Sequence, residues 1–445
     1  MGKQPVKVGM VSLGCPKNQV DAEILLALLK KGGYELTNDA GNADVVVVNT
    51  CGFIESAKQE SIENILEFCQ LKTEGQIKCV VVTGCLAERY RDELVKEIPE
   101  ADVVLGIGSN TEIVSAIEKA LQGEKVASYG TKTALPLEGE RVLSTLPYYA
   151  YLKIAEGCSN CCTYCAIPMI RGKFRSRTIE SVVEEAKELA RRGVKELVVV
   201  AQDTTRYGED LYGEPRLAEL LTELCKIEGF VWIRTLYCYP ERISDKLLDV
   251  LATEGKLAKY LDIPLQHCSG RVLQDMNRAG DRANLTALMK KIRAKIPGIT
   301  LRTTLIAGFP GETEDDFTEL MEFVHEVEFE RLGCFAYSAE EGTKAASMEN
   351  QVPEQIKQQR ANHIMEQQMF INEKKNRAEI GKSKKTIVEG YDKYAGVYFG
   401  RTEADAPDID GKIFFRSDKK LTMGEFVDVL VEEALDYDLI GTVTE

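Results

Sequence analysis

Between residues 6 and 337 the sequence alternates short apolar runs with longer stretches of helical period, and few folds accept that rhythm. Strands are predicted at 6–13, 44–49, 78–83 and 102–105, with helices at 21–31, 55–71, 89–98 and 111–121. Such alternation implies an α/β fold, a mostly parallel sheet with helices on its faces. Sheets of this kind bind ligands beyond the carboxyl ends of their strands. After an irregular stretch containing Pro136, a longer alternation places strands at 149–154, 196–201, 231–236, 260–263, 300–306 and 332–337. Helices at 179–192, 217–227, 245–254, 285–296 and 314–328 separate them. Six such units are too few for a closed barrel, so a curved, partial (β/α)6 barrel is expected.

A polar helix at 353–376 ends this region, and the chain then changes character. TIVEGYD, GVYFGRT, GKIFFRS and GEFVDVLVEEAL read as short strands with glycine turns, which predicts a small antiparallel β-barrel. The expected division is an N-terminal domain over 1–125, a linker over 126–145, a core over 146–376 and the small barrel over 377–445.

Thirteen cysteines in 445 residues could suggest disulfides. The chain length, the lack of a signal-peptide pattern and the clustered spacing argue instead for a reducing compartment, the cytoplasm by default, where cysteines serve metals or catalysis. No apolar run approaches the length that crosses a bilayer, so no membrane association is expected. Three scattered histidines, His267, His325 and His363, are too few for a zinc hydrolase. The formal charge of −15 disfavours nucleic acid and favours a basic protein or a small molecule as partner.

Two cysteine constellations carry the chemistry. Cys158, Cys162 and Cys165 fall on a short loop after the first strand of the second alternation. Three thiolates there can hold three irons of a 4Fe–4S cube and leave the fourth open to a small molecule. Cys15, Cys51 and Cys85 each follow a different strand of the first alternation, in SLGCPKN, VNTCGF and VTGCLAE, so the topology brings them to one rim. The alternative is three buried thiols acting as small apolar residues. Gly14, Gly52 and Gly84 beside them are expected to let the backbone approach a cluster closely.

The CxxxCxxC loop on the first strand of a partial barrel resembles the radical S-adenosylmethionine superfamily. With the second cysteine set and the terminal barrel, which resembles the TRAM module, the whole chain is similar to the methylthiotransferases. The stretches AQDTTRYGEDLYG, TLYCYP, PLQHCSGRVLQDMNR, YSAEEGT and GRTEADAPDIDG resemble the branch that methylthiolates an aspartate of ribosomal protein S12. The acidic terminal segment agrees: residues 421–445 hold seven acidic residues and no Lys or Arg. The rival within the family, a tRNA adenosine methylthiotransferase, calls for a basic barrel. A cluster-bound electron carrier, the rival outside it, calls for closed four-cysteine ligation.

The resemblance implies two 4Fe–4S clusters, S-adenosylmethionine, S12 in the small ribosomal subunit as substrate, no direct tRNA substrate and an electron donor such as flavodoxin. It implies Cys158, Cys162 and Cys165 as ligands of one cluster and Cys15, Cys51 and Cys85 as ligands of the other, with Tyr164 near the adenine. Gln202 and Asp203 at the second strand end face the same rim. Gly308, in the AGFPGE segment, serves either the cofactor or a simple turn. Arg302 and Arg171 are the candidates for the cofactor carboxylate, with ordinary salt bridging as the alternative. Cys161 departs from the family pattern and also allows two CxxC pairs, a zinc-like spacing. Cys69, Cys79, Cys225, Cys238, Cys268 and Cys334 are expected to be core or near-surface thiols, Cys238 and Cys268 keeping some chance of a role because they follow strands.

Overall fold

The computed structural model describes residues 5–444. Its N-terminal sheet has strand order Glu35–Thr37, Lys7–Ser12, Val45–Thr50, Cys79–Gly84, Val103–Leu105, Val126–Ser128, all parallel. The central strands VVVVNT and CVVVTG are buried along their whole length, which is why they read as unbroken apolar runs rather than alternations. Helices Pro16–Lys31 and Ile113–Ala120 cover one face; Glu55–Thr73 and Cys85–Glu97 cover the other. Val126–Ser128 lies in the stretch read as linker, yet it pairs with Val103–Leu105 and completes the sheet. Its three residues are too short to show a period. The strand order reverses between Lys7–Ser12 and Val45–Thr50, the switch point where open α/β sheets place ligands.

The second alternation forms two three-stranded parallel sheets, Trp232–Thr235, Glu196–Val200, Tyr149–Lys153 and Tyr260–Asp262, Thr300–Ala307, Arg331–Ala336. A few hydrogen bonds stitch the halves, among them Ile233 N to Lys256 O at 2.7 Å, Ala258 N to Ile233 O at 2.9 Å and Cys238 N to Asp262 O at 2.9 Å. The result is an arc of six strands, with Arg331–Ala336 at its open edge and helix Glu354–Arg377 packed behind that strand. Outward faces and helices share one large apolar core.

The last domain is a closed five-stranded barrel. One feature departs from the antiparallel expectation: Ile413–Arg416 and Leu439–Val443 run parallel. The loop preceding Ile413 reaches into the wide, amino-terminal end of the arc. There Tyr149 and Tyr260 donate to Asp408 (2.8 Å) and Asp410 (2.6 Å), Arg234 donates to Glu403 O (2.9 Å), and Arg331 pairs with Asp405 (2.5 Å). Arg401 and Arg234 both bond Glu196, and all three are buried. GRTEADAPDIDG is therefore a stopper for the arc. From the other domain, Val20 and Ile24 of helix Pro16–Lys31 pack on Tyr149 and Tyr151 inside it.

Candidate cluster-binding sites and the rim between them

Cys15 is the residue before helix Pro16–Lys31, Cys51 follows strand Val45–Thr50, and Cys85 opens helix Cys85–Glu97. A helix N-terminus favours a thiolate. The neighbouring glycines bring these three segments against one another. A Cβ on Gly14 would lie 2.9 Å from the Cys51 sulfur, one on Gly52 2.8 Å from Leu86 N, and one on Gly84 2.5 Å from Thr50 O. These glycines let the cysteine-bearing segments pack directly against one another.

The Arg171 guanidinium lies 3.4 Å from the Cys85 sulfur, and nearby backbone N–H groups, of Lys17 and Asn18 at Cys15 and of Phe53 at Cys51, favour the charged form of those thiols. Burial pushes the Cys15 thiol up, but Lys17, Arg171 and the two N–H groups outweigh it and leave its pKa below the ordinary value. Burial dominates at Cys51, which is raised, and at Cys85, raised to about 12.

The second loop is pinned at many points. Cys158 N donates to Gly172 O (3.0 Å) and Thr163 N to Met276 O (3.1 Å). Asn277 donates from its side chain to the carbonyls of Asn160 and Cys161 (both 3.1 Å). Gly157, at φ +76°, passes so close to Lys173 O that a Cβ would lie 2.3 Å from it. The Tyr239 hydroxyl lies 3.0 Å from the Cys162 sulfur, and the nearby N–H groups of Asn160 and Ile167 favour the charged forms of Cys158 and Cys165. Burial raises Cys158 to about 11 and raises Cys165 further. Tyr164 is half-buried, its hydroxyl pushed well up by burial and set near Arg278 and Cys162.

This donor set fits iron–sulfur clusters, whose thiolates are stabilised by hydrogen bonds to sulfur. It does not fit a single zinc ion. Tetrahedral zinc needs sulfurs about 3.8 Å apart, and no three such ligands converge on one ion among the described residues. Cys161 is exposed, with its backbone at φ +52°.

Between the two constellations runs a buried ionic chain. Arg171, 1 % exposed, bonds Asp21 (2.7 Å), Glu156 (3.0 Å) and Asn18 (3.1 Å) besides touching Cys85. Lys153 bonds Glu156 at 2.8 Å and Asp21. Gln202 donates to Glu156 at 3.0 Å, and its carbonyl oxygen is buried without a partner. An orphan acceptor aimed into this rim suits an incoming donor. Asp21, Lys153 and Glu156 were missed in the sequence. The available signal was a Lys and a Glu bracketing the apolar end of YAYLKIAEG.

Several expected cofactor contacts are otherwise engaged. Asp203 spends its carboxylate on Asn160 (2.8 Å), Thr205 (2.6 Å) and Arg242 (3.2 Å), so it holds the cysteine loop in place. Arg302 pairs with Asp262 at 2.8 Å and lies on the order of 16 Å down its strand from the rim. Gly308, at φ +75°, leaves room for helix residue Lys357, whose Cγ would be 2.4 Å from an added Cβ. Gly308 thus packs on a helix, and Arg171 and Arg302 are both salt-bridged. Cys79 and Cys225, pushed up to about 12 by burial, are core thiols, and Cys238 and Cys268 are fully buried.

Family signatures match the chain in three blocks: the uncharacterized protein family UPF0004 at residues 7–106, the Radical SAM superfamily at 152–324 and the TRAM domain at 380–444. Among solved structures, the radical S-adenosylmethionine methyltransferase TsrM from Kitasatospora setae, with cobalamin and a [4Fe-4S] cluster bound, shares the fold. Its TM-score is 0.56 at 15% identity, covering 75% of each chain. OxsB, a cobalamin-dependent S-adenosylmethionine radical enzyme, aligns at TM-score 0.52 and 14% identity over 83% of this chain and 58% of its own. Fold and site together define a radical S-adenosylmethionine enzyme that carries iron–sulfur clusters. Curated relatives narrow this. The ribosomal protein uS12 methylthiotransferase RimO of Pelotomaculum thermopropionicum is 52% identical over 438 residues, 98% of this chain and 99% of that one. RimO of Clostridioides difficile is 49% identical over 439 residues, again 98% and 99%. The chain belongs to the RimO family of methylthiotransferases.

Proposed function

We propose that this chain installs a methylthio group on the β-carbon of an aspartate in ribosomal protein uS12, the substrate that its relatives' names give. Cys158, Cys162 and Cys165 would hold one 4Fe–4S cluster and Cys15, Cys51 and Cys85 the other; with S-adenosylmethionine bound, these groups supply a radical that takes hydrogen from an unactivated carbon, together with the sulfur and methyl to be transferred.

The protein's own part is positioning. Asp203 and Asn277 fix the 158–165 loop, and the glycine contacts fix the Cys15, Cys51 and Cys85 segments. Gln202 offers its unpartnered oxygen to a donor on the bound cofactor. The stopper loop keeps water from the amino-terminal end of the arc, which strengthens electrostatics inside. The observation that carries the reading is the pair of three-cysteine sets, one sulfur of each beside a side-chain donor, joined by Arg171, Glu156 and Gln202. A one-electron donor such as flavodoxin would feed the site. No helix of the described residues is long and apolar enough to cross a membrane; a ribosomal protein substrate calls for an enzyme in the cytoplasm, where ribosomes are.

The test is anaerobic incubation of reconstituted protein with S-adenosylmethionine, reductant and small ribosomal subunits, read by mass spectrometry. A methylthio mass gain on uS12 with release of deoxyadenosine is expected. A gain on a tRNA nucleoside and none on uS12 would overturn the substrate.

A further inference from the structure

Helices Glu55–Thr73 and Cys85–Glu97 lie side by side on one face of the N-terminal sheet, and a groove of about 520 Å³ runs between them. Ile62, Leu66, Leu94 and Ile98 line it. Ile62 and Leu66 stand one helical turn apart and are 38% and 49% exposed. Paired apolar side chains left wet in this way mark an interaction surface when a polar rim surrounds them.

The rim is acidic. Glu55, Glu93, Glu97 and Glu341 border the groove, and Lys58, the cation of the lining, is neutralised by Glu55 at 2.6 Å and Glu340 at 3.2 Å. Glu97 meets the exposed Lys96 at 3.6 Å, while Glu93 and Glu341 make no ion pair among the described residues.

The groove also leads somewhere. Leu86 in its wall follows Cys85 directly. Its end is formed by Ala339 and Glu341, in the loop after the edge strand of the arc. Arg89 ties that loop to the N-terminal domain through Glu340 (2.8 Å) and Gly52 O (2.9 Å). The same loop continues to Ala345, whose N–H donates to Thr163 O in the cysteine loop at 2.9 Å. Phe335, 56% exposed, stands on the edge strand beside it.

We propose that this groove docks a basic segment of the ribosomal protein substrate, anchored by an apolar side chain on Ile62 and Leu66 and oriented by Glu93, Glu97 and Glu341. The proposal rests on the uS12 reading. A protein that lives against ribosomal RNA is rich in Lys and Arg, and an acidic track steers and registers such a partner. The same rim repels nucleic acid.

The test uses reconstituted full-length enzyme and purified uS12, with dissociation constants read by fluorescence anisotropy. Glu93→Lys with Glu97→Lys, and separately Ile62→Ser with Leu66→Ser, should each raise Kd about tenfold or more, with iron content unchanged. The same charge change at Glu180 and Glu184, on the barrel helix Ile179–Arg191, should leave Kd near wild type. If both groove variants bind and modify uS12 as wild type does, the groove is overturned while the function stands. If iron-loaded wild type cleaves S-adenosylmethionine but leaves uS12 untouched, the substrate reading fails and takes this proposal with it.

Discussion

The Arg171 guanidinium, carried by the radical-site domain, lies 3.4 Å from the sulfur of Cys85 in the N-terminal domain. The same side chain holds Asp21 of one domain and Glu156 of the other. One buried cation thus ties the second three-sulfur site to the rim of the first. Removing one member of a buried charge group leaves its partners uncompensated, at a cost of about 3–5 kcal/mol. Arg171→Met should therefore lower thermal stability by that order and strip iron from the Cys15, Cys51 and Cys85 site. Iron analysis beside calorimetry checks both, and full iron retention would contradict the coupling.

Gly14 sits at φ +90°, and an added Cβ would lie 2.8 Å from the Cys51 Cβ. Gly14→Ala should cost about 1–3 kcal/mol and displace Cys51. Reconstituted protein is expected to lose about four irons per chain while keeping the S-adenosylmethionine-dependent signal of the other site. Electron paramagnetic resonance with iron quantitation separates the two.

Tyr239 places its hydroxyl 3.0 Å from Cys162. A hydrogen bond to sulfur favours the more negative, reduced state of a cluster and so raises its potential. Tyr239→Phe should shift the midpoint potential downward with iron content intact. An unchanged potential in redox titration would remove this tuning role.

Glu196 is buried between Arg401 of the terminal barrel and Arg234 of the arc. Burial pushes its carboxyl up, but the two guanidinium groups overcome this and hold its pKa below the ordinary value. A depressed folded pKa gives stability that is present above the unfolded value of about 4.3 and is lost as pH falls through the folded one. Melting temperature should drop between pH 5 and pH 3 more steeply in wild type than in Glu196→Gln, which is expected to be weaker already at pH 7.

The parallel sheets and the strand-end placement of both cysteine sets were legible because burial on two faces leaves runs such as VVVVNT, and topology then fixes where a following residue lies. Gly308, Asp203 and Arg302 were harder. Their partners, Lys357, Asn160 and Asp262, are distant in sequence, and no local pattern announces such contacts. The stretch 400–411 holds four acidic residues, but nothing local announces their destination. Only the assembled arc, with arginines and tyrosines at the starts of its strands, explains why three aspartates enter it.

That insertion has a practical corollary. With Asp405, Asp408 and Asp410 seated in the amino-terminal end, traffic to the reaction chamber is confined to the opposite mouth and the unsealed flank beside Phe335. Trimming the carboxyl-terminal domain would therefore breach the chamber as well as delete a barrel. A truncated enzyme that loses activity would say nothing on its own about how the ribosomal protein is chosen.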